Sequence, residues 1–266
     1  MVAGDLAQIE ARVTAWLCGQ VDLLDQFARD LDPYSIQASD IFGFTVDKKI
    51  HLLERFIGKG TVLGCGFGCG HKKFYNMVIR DARKLGMDMP KLMKVWTPEL
   101  AERSVQAYRA RNSAIKNTWY KLDGYLAGAW CGLAGPVKFG PVVISEGCVE
   151  GPGGLKMLYD VISTDNNDLR YVYGKRSYHM YGAKFLENIV QFLARIIVMN
   201  AALRLWDRGY KFKLQSHDEL VFIIPDAQVP EAMRVIKEEM ERRPSWARDF
   251  PLKAEVGHGL TYGDAK

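Results

Sequence analysis

The chain has 266 residues, enough to bury a sizeable core as one or two domains, and its 48% hydrophobic and 25% charged content is that of a globular protein, not a disordered or fibrous one. No uninterrupted apolar run reaches the length of a membrane span, and Asp5 and Glu10 interrupt any signal-like N-terminus, so no membrane or secretory destination is expected and a cytoplasmic one is. The net charge of +5 is mildly basic, and five cysteines without CxxC spacing point to reduced thiols.

Taken in chain order, "MVAG" reads as a short strand ending at Asp5, and residues 6–18 space Leu6, Ile9, Val13 and Leu17 at helical intervals. Helical periodicity covers 22–51, with Asp32-Pro33 as a start and Gly43 as a break. It resumes over 97–126, opened by an N-cap at Thr97 with Pro98 in the first turn. Residues 132–176 change texture to Gly, Pro and alternating Val, Ile and Tyr, which predicts short strands, with "PVVISEG" and "LRYVYGK" the strongest. A long helix over about 181–206 stops at Gly209. A hairpin follows, from "KFKLQS" to "LVFIIP" with His217, Asp218 and Glu219 at its turn, then a helix over about 230–242 and a terminal strand "PLKAEVG".

Two basic clusters stand out. Between Glu54 and Arg83 lie Arg55, Lys59, His71, Lys72, Lys73, Arg80 and Arg83; a second cluster sets Arg109, Arg111, Lys116 and Lys121 among Tyr108, Trp119 and Tyr120. Cations interleaved with aromatics suit phosphate neutralisation with base stacking, although a solvated helix face has the same pattern. Cys65, Cys69 and His71 read as packing, not as metal ligands.

Asp5 ends the first strand and Asp218 lies in the hairpin turn. If those strands share one sheet, both carboxylates emerge at the same edge, where a divalent cation can bridge them, as two-metal phosphoryl transfer requires. Residues 54–74, "ERFIGKGTVLGCGFGCGHKKF", place Arg55, Lys59, Leu63 and Phe67 at successive i+4 steps, one stripe of a helix. Two cations four apart repel unless an anion lies between them, and a triphosphate would supply it. The glycines at 58, 60, 64, 66, 68 and 70 cost a helix about 1 kcal/mol each, which calls for close approach of a substrate or another helix. No GxxxxGK[ST] loop is present.

On these residues the sequence resembles the family A, bacterial DNA polymerase I-like, DNA polymerases, most closely their phage-type branch. "DLAQIEAR" is similar to the family's first palm motif, DYSQIELR; "RFIGKGTVLGCGFG" to the fingers motif RxxxKxxxFGxxYG; "HDE" to the last palm motif; and "ENIVQFLAR" and the ending "LKAEVGHGLTYGDAK" to the same branch.

The resemblance implies an α/β (α+β) fold: a palm with a small antiparallel sheet, in two parts at 1–28 and 185–266, around a mostly helical fingers subdomain at 29–184 that holds the β-rich loops of 132–176. It implies nucleotidyl transfer from a dNTP to a primer 3′-hydroxyl, with two Mg²⁺ ions held by Asp5, Asp218 and the backbone carbonyl of Leu6. Arg55 and Lys59 would hold the β- and γ-phosphates, with Lys59 also the proton donor to pyrophosphate. Gln8, Ile9, Leu63 and Phe67 would border the nucleotide, and Glu10 would be the steric gate against a ribose 2′-hydroxyl. Arg12, Gln191, His217 and Glu219 would meet the DNA or lie near the metals.

Two departures are chemical. Leu63 stands where the family has Phe or Tyr, which removes an aromatic contact to the incoming sugar. Phe67 replaces a Tyr, so it has no hydroxyl to anchor Glu10, and a looser gate is expected. A third is that only four residues precede Asp5, which predicts a poorly anchored first strand and either a truncated piece or a split enzyme; the expectation is a split enzyme whose separate N-terminal chain carries the thumb and an exonuclease, alongside primer-template DNA and dNTPs as partners. The alternatives are a non-catalytic nucleic-acid-binding or assembly fragment, and a single-subunit-type RNA polymerase, the latter opposed by Glu10 and the HDE triplet.

Overall fold

A computed structural model describes residues 1–163 and 168–265. Its first strand, β1 (Val2–Leu6), pairs antiparallel with β10 (Glu219–Phe222) on one side and β11 (Ala254–His258) on the other; β10 continues to β9 (Phe212–Ser216), giving the order β11-β1-β10-β9. The expected sheet of first strand plus hairpin therefore gains a fourth strand, and the expectation of a poorly anchored β1 is corrected: it is bonded along both edges, with Val2 and Leu6 fully buried. Alternation puts Val2, Gly4 and Leu6 on one face and Ala3 and Asp5 on the other. On the first face α10 (Val229–Met240) comes so close that a Cβ on Gly4 would stand 2.6 Å from Met240 Sδ. On the second, Ala3 and Val221 are covered by Ala265 and Tyr262 of the C-terminal segment.

Behind the sheet, α1 (Ile9–Cys18), α8 (Ser113–Tyr125) and α10 surround α9 (Gly182–Asp207). By length and composition α9 is able to cross a membrane, against the sequence reading that no run is long enough. Its apolarity has another cause: Phe185, Leu186, Ile189, Val190, Leu193 and Leu205 are fully buried against helices on several sides, so no polar face is required. Gly182 is needed where α9 begins, because a Cβ there would lie 1.9 Å from the Trp119 carbonyl oxygen of α8.

The remaining helices are α2 (Val21–Ala28), α3 (Pro33–Phe42), α4 (Leu52–Cys65), α5 (His71–Lys84), α6 (Met89–Val95) and α7 (Pro98–Arg111). Pro33 opens α3 and Gly43, at φ +78°, closes it as the sequence predicts. The helical pattern of 22–51 resolves into α2 and α3 followed by irregular chain, and that of 97–126 breaks at Asn112, whose φ/ψ of −102°/54° leaves the helix. Thr97 caps α7 by accepting from the Leu100 amide at 3.2 Å.

Two small antiparallel sheets follow α8, β2 (Val137–Phe139) to β5 (Lys156–Leu158) through β3 (Val142–Ser145) and β4 (Cys148–Glu150), and β6 (Asp160–Ser163), β7 (Leu169–Tyr173) and β8 (Arg176–His179). The two strongest strand predictions are β3 and β7; residues 164–167 of this region lie outside the described residues. The reading of the second basic cluster as a stacking surface is corrected. Tyr108 and Trp119 are core residues, 1% and 6% exposed, with the Trp119 indole donating to the Gly66 carbonyl at 3.1 Å, and Arg111 pairs with Asp40 at 2.6 Å. Tyr120 does lie exposed.

Candidate active site

The sheet brings the ends of the chain to one edge. Pairing of β1 with β10 sets Asp5 opposite Glu219, and pairing with β11 sets it opposite Glu255, so three carboxylates stand in register across three strands. Just beyond, the Leu6 amide donates to the Asp218 carbonyl at 3.3 Å, which fixes the hairpin turn beside the end of β1. Asp5, Asp218 and Glu255 all line one cavity of about 1060 Å³. Glu219 is 5% exposed and accepts the Tyr262 hydroxyl. The expectation that it meets DNA is corrected: its carboxylate is turned into the seam between the sheet and the C-terminal segment.

The same cavity is lined by α4. Arg55, Lys59 and Leu63 line it on one helical stripe; Phe67 does not share that stripe, because α4 ends at Cys65 and Phe67 follows in the turn. Phe67 borders a small side cleft together with Glu10 and Leu63. The anion the paired cations call for is supplied within the chain: Asp32 accepts from Arg55 Nε at 2.6 Å and from Nη2 at 3.2 Å. Burial opposes ionisation of Asp32, but the bonds from Arg55 and Ser35 outweigh it and hold the carboxyl below its ordinary pKa. Under both cations lies the ring of Tyr34, 5.5 Å from the Arg55 guanidinium and 6.0 Å from Lys59 Nζ. Burial pushes the Tyr34 phenol up to about 12.

The glycine-dense stretch has the second of its two expected reasons at Gly58: a Cβ there would stand 2.2 Å from the Tyr34 carbonyl oxygen, so α3 and α4 meet backbone to backbone. That contact is what places Asp32 and Tyr34 at the cavity.

Glu10, on the first turn of α1, and Gln191 of α9 both line the cavity, and the Gln191 amide favours the ionised form of Glu10. Its carboxyl is raised above the ordinary glutamate value, first by burial and then by the charges of Glu187 and Asp218, while Gln191 and His217 oppose the rise. Phe67 offers Glu10 no hydroxyl, and the polar neighbour of Glu10 is Gln191.

Three non-glycine residues have positive φ among the described residues, Gln8 at +54°, Asp30 at +54° and His217 at +53°, and all three line this cavity. Backbone strain of about 1–3 kcal/mol each, gathered around one opening, is a mark of a functional site. Gln8 and Tyr34 both line the cavity, which brings the end of β1 and α3 to the same opening.

Other assigned residues have different surroundings. Arg12 is 4% exposed and commits its guanidinium to the Ala7 carbonyl and the Pro251 carbonyl, both at 2.8 Å, with Phe27 beneath it at 4.6 Å. It pins the start of α1 to the C-terminal segment and is not free to grip DNA. Ile9 is 3% exposed, with its side chain in the core, and Leu6 is fully buried. Asp32, Tyr34 and Glu255 were missed by sequence reasoning. For Asp32 a signal existed, a carboxylate directly before a Pro-initiated helix, but it read as a cap.

The donor set fits magnesium. Asp5 and Asp218 offer oxygen ligands only, and Mg²⁺ binds through one or two carboxylates while keeping positions for water and phosphate. Among the described residues no group of three or more His, Cys, Asp or Glu is placed to hold a metal ion.

No family model matches the chain. It is 25% identical over 278 aligned residues to the DNA polymerase of Bacillus phage SP02, covering 94% of this chain and 39% of that protein. It is 24% identical to the thermostable DNA polymerase I of Thermus filiformis and 22% to DNA polymerase I of Lactococcus lactis, in each case along the whole of this chain and over 27% and 26% of those proteins. The chain thus spans between a quarter and two-fifths of the length of these relatives. Among solved structures, the POL domain of Pol1 from M. smegmatis, in complex with DNA primer-template and dNTP, superposes with a TM-score of 0.67 at 19% identity, over 99% of this chain and 40% of that one. The fold is that of an α/β polymerase domain.

Proposed function

We propose that this chain, similar along its whole length to family A DNA polymerases, is the palm and fingers of a template-directed DNA polymerase that joins dNTPs to a primer 3′-hydroxyl and releases pyrophosphate. The observation that carries the reading is one cavity lined both by Asp5 and Asp218, side by side at the sheet edge, and by Arg55 and Lys59 of α4. Carboxylates that can hold cations, sharing a cavity with cations that can hold a triphosphate, are the two halves a phosphoryl-transfer site requires. In this reading residues 1–28 and 185–266 form the palm and 29–184 the fingers.

Asp5 and Asp218 would hold two Mg²⁺ ions; bound there, magnesium stabilises charge on the attacking and leaving oxygens. The chain's own groups do the rest. Arg55 binds phosphate oxygens, and Lys59 binds them and donates a proton to the leaving pyrophosphate. Glu10, with Gln191 beside it, fills the space a ribose 2′-hydroxyl needs and selects deoxynucleotides. Gln8, Leu63 and Phe67 border the nucleotide, and His217 and Gln191 border the primer terminus. The setting would be cytoplasmic.

The test is calorimetric titration of the chain with dNTP, with and without Mg²⁺, followed by primer extension with dNTPs or rNTPs. Magnesium should tighten dNTP binding in the wild type but not in Asp5→Asn or Asp218→Asn, and either variant should lower extension by at least about a thousandfold. A wild-type chain indifferent to magnesium in dNTP binding would overturn the reading.

A further inference from the structure

We propose that Asp32 is a positioning residue for triphosphate binding, fixing the Arg55 guanidinium in one orientation; this rests on the polymerase reading above. The pair is bidentate, through Nε at 2.6 Å and Nη2 at 3.2 Å, and Nη1 makes no hydrogen bond among the described residues. One edge of the guanidinium fork is thus committed and the other left over. Asp32 is itself held: it precedes the first turn of α3, accepts Ser35 Oγ at 2.6 Å, and its side chain is 16% exposed against 33% for Arg55. The anchor is the better fixed of the two partners.

An opposing reading makes Asp32 a latch that occupies Arg55 until substrate displaces it. A latch requires the two residues to separate as α4 moves. Here they sit on helices in backbone contact at Gly58 and Tyr34, and the Tyr34 ring lies under both Arg55 and Lys59. Asp32 therefore travels with α4. A long side chain pre-oriented in this way has less rotamer freedom left to lose when its ligand arrives.

The two readings, and simple electrostatics, differ in sign. Asp32 puts a negative charge beside a site for a polyanion, so removing that charge should tighten binding if Coulomb attraction or latching governs. Orientation predicts the reverse. Inorganic tripolyphosphate and a dNTP are titrated into the wild type, Asp32→Asn, Arg55→Ala, Lys59→Ala and the double variant Asp32→Asn with Arg55→Ala, with folding of each checked by circular dichroism. Asp32→Asn is expected to weaken tripolyphosphate binding about tenfold and to have no effect in the Arg55→Ala background, while Asp32→Glu restores part of the loss. Equal or tighter binding by Asp32→Asn overturns the proposal, as does a loss that persists without Arg55. Absence of saturable binding by the wild type, or indifference to Arg55→Ala and Lys59→Ala, overturns the triphosphate site itself and the proposal with it.

Discussion

Glu10 at the start of α1 and Gln191 in the middle of α9 meet at the wall of the cavity, where Gln191 favours the ionised form of Glu10. The residue expected to exclude ribonucleotides is thus approached from α9 as well as from the turn after α4.

Removing Gln191 should loosen the gate. Gln191→Ala is expected to raise ribonucleotide incorporation relative to deoxynucleotide incorporation about fivefold, the equivalent of one ordinary hydrogen bond. Phe67→Tyr should change that ratio much less, because Gln191 already offers the Glu10 carboxylate a polar partner. Competitive primer extension with paired rNTP and dNTP measures both; a larger effect from Phe67→Tyr would count against the anchoring role of Gln191.

The raised carboxyl of Glu10 has a consequence for stability. A carboxyl whose pKa is higher folded than unfolded binds its proton more tightly in the folded state, so its contribution is fully present below the unfolded value, about 4.3, and is lost as pH rises through the folded value. Ionised Glu10 therefore weakens the metal-free fold at neutral pH. Glu10→Gln, which keeps an acceptor for Gln191, should have the higher urea midpoint at pH 7, with the gap closing toward pH 4. A gap independent of pH would show that Glu10 titrates normally.

Two glycines of α4 should respond to alanine with opposite signs. At Gly60 a Cβ meets Val78 Cγ2 at 3.6 Å, an ordinary contact, so Gly60→Ala gains helix propensity and stabilises by about 1 kcal/mol. At Gly58 the same gain is offset by a backbone oxygen at 2.2 Å that cannot rotate away, and Gly58→Ala should lose about 2 kcal/mol net, lowering Tm by about 5 °C. Thermal melts of the two variants side by side decide it.

Much of the fold was legible because its signals are local. Pro33 and Gly43 bound α3, Thr97 caps α7, and the alternating stretches became β3 and β7. The convergence of Asp5 and Asp218 was legible because both flank strands whose pairing leaves them at one edge. What was hidden is tertiary. The Arg55 and Asp32 pair spans 23 positions and depends on the approach of α3 to α4, which no periodicity encodes. Arg12 looks like any helical cation until the carbonyls of Ala7 and Pro251 close over it. Tyr108 and Trp119 lie on the inward faces of α7 and α8, and spacing alone cannot tell a ring that stacks on a base from one that fills a core.

The central place of β1 also governs when the site comes into being. Val2 pairs with Phe222 and with His258, so the strand that carries Asp5 finds its sheet partners only in the part of the chain beyond residue 218. Contacts this distant in sequence carry a heavy loop-closure cost and form slowly. The helices can gather from local contacts, but the acidic edge is a late arrival: β10 has to close on β1 before Asp5 and Asp218 stand together, and β11 before Glu255 joins them.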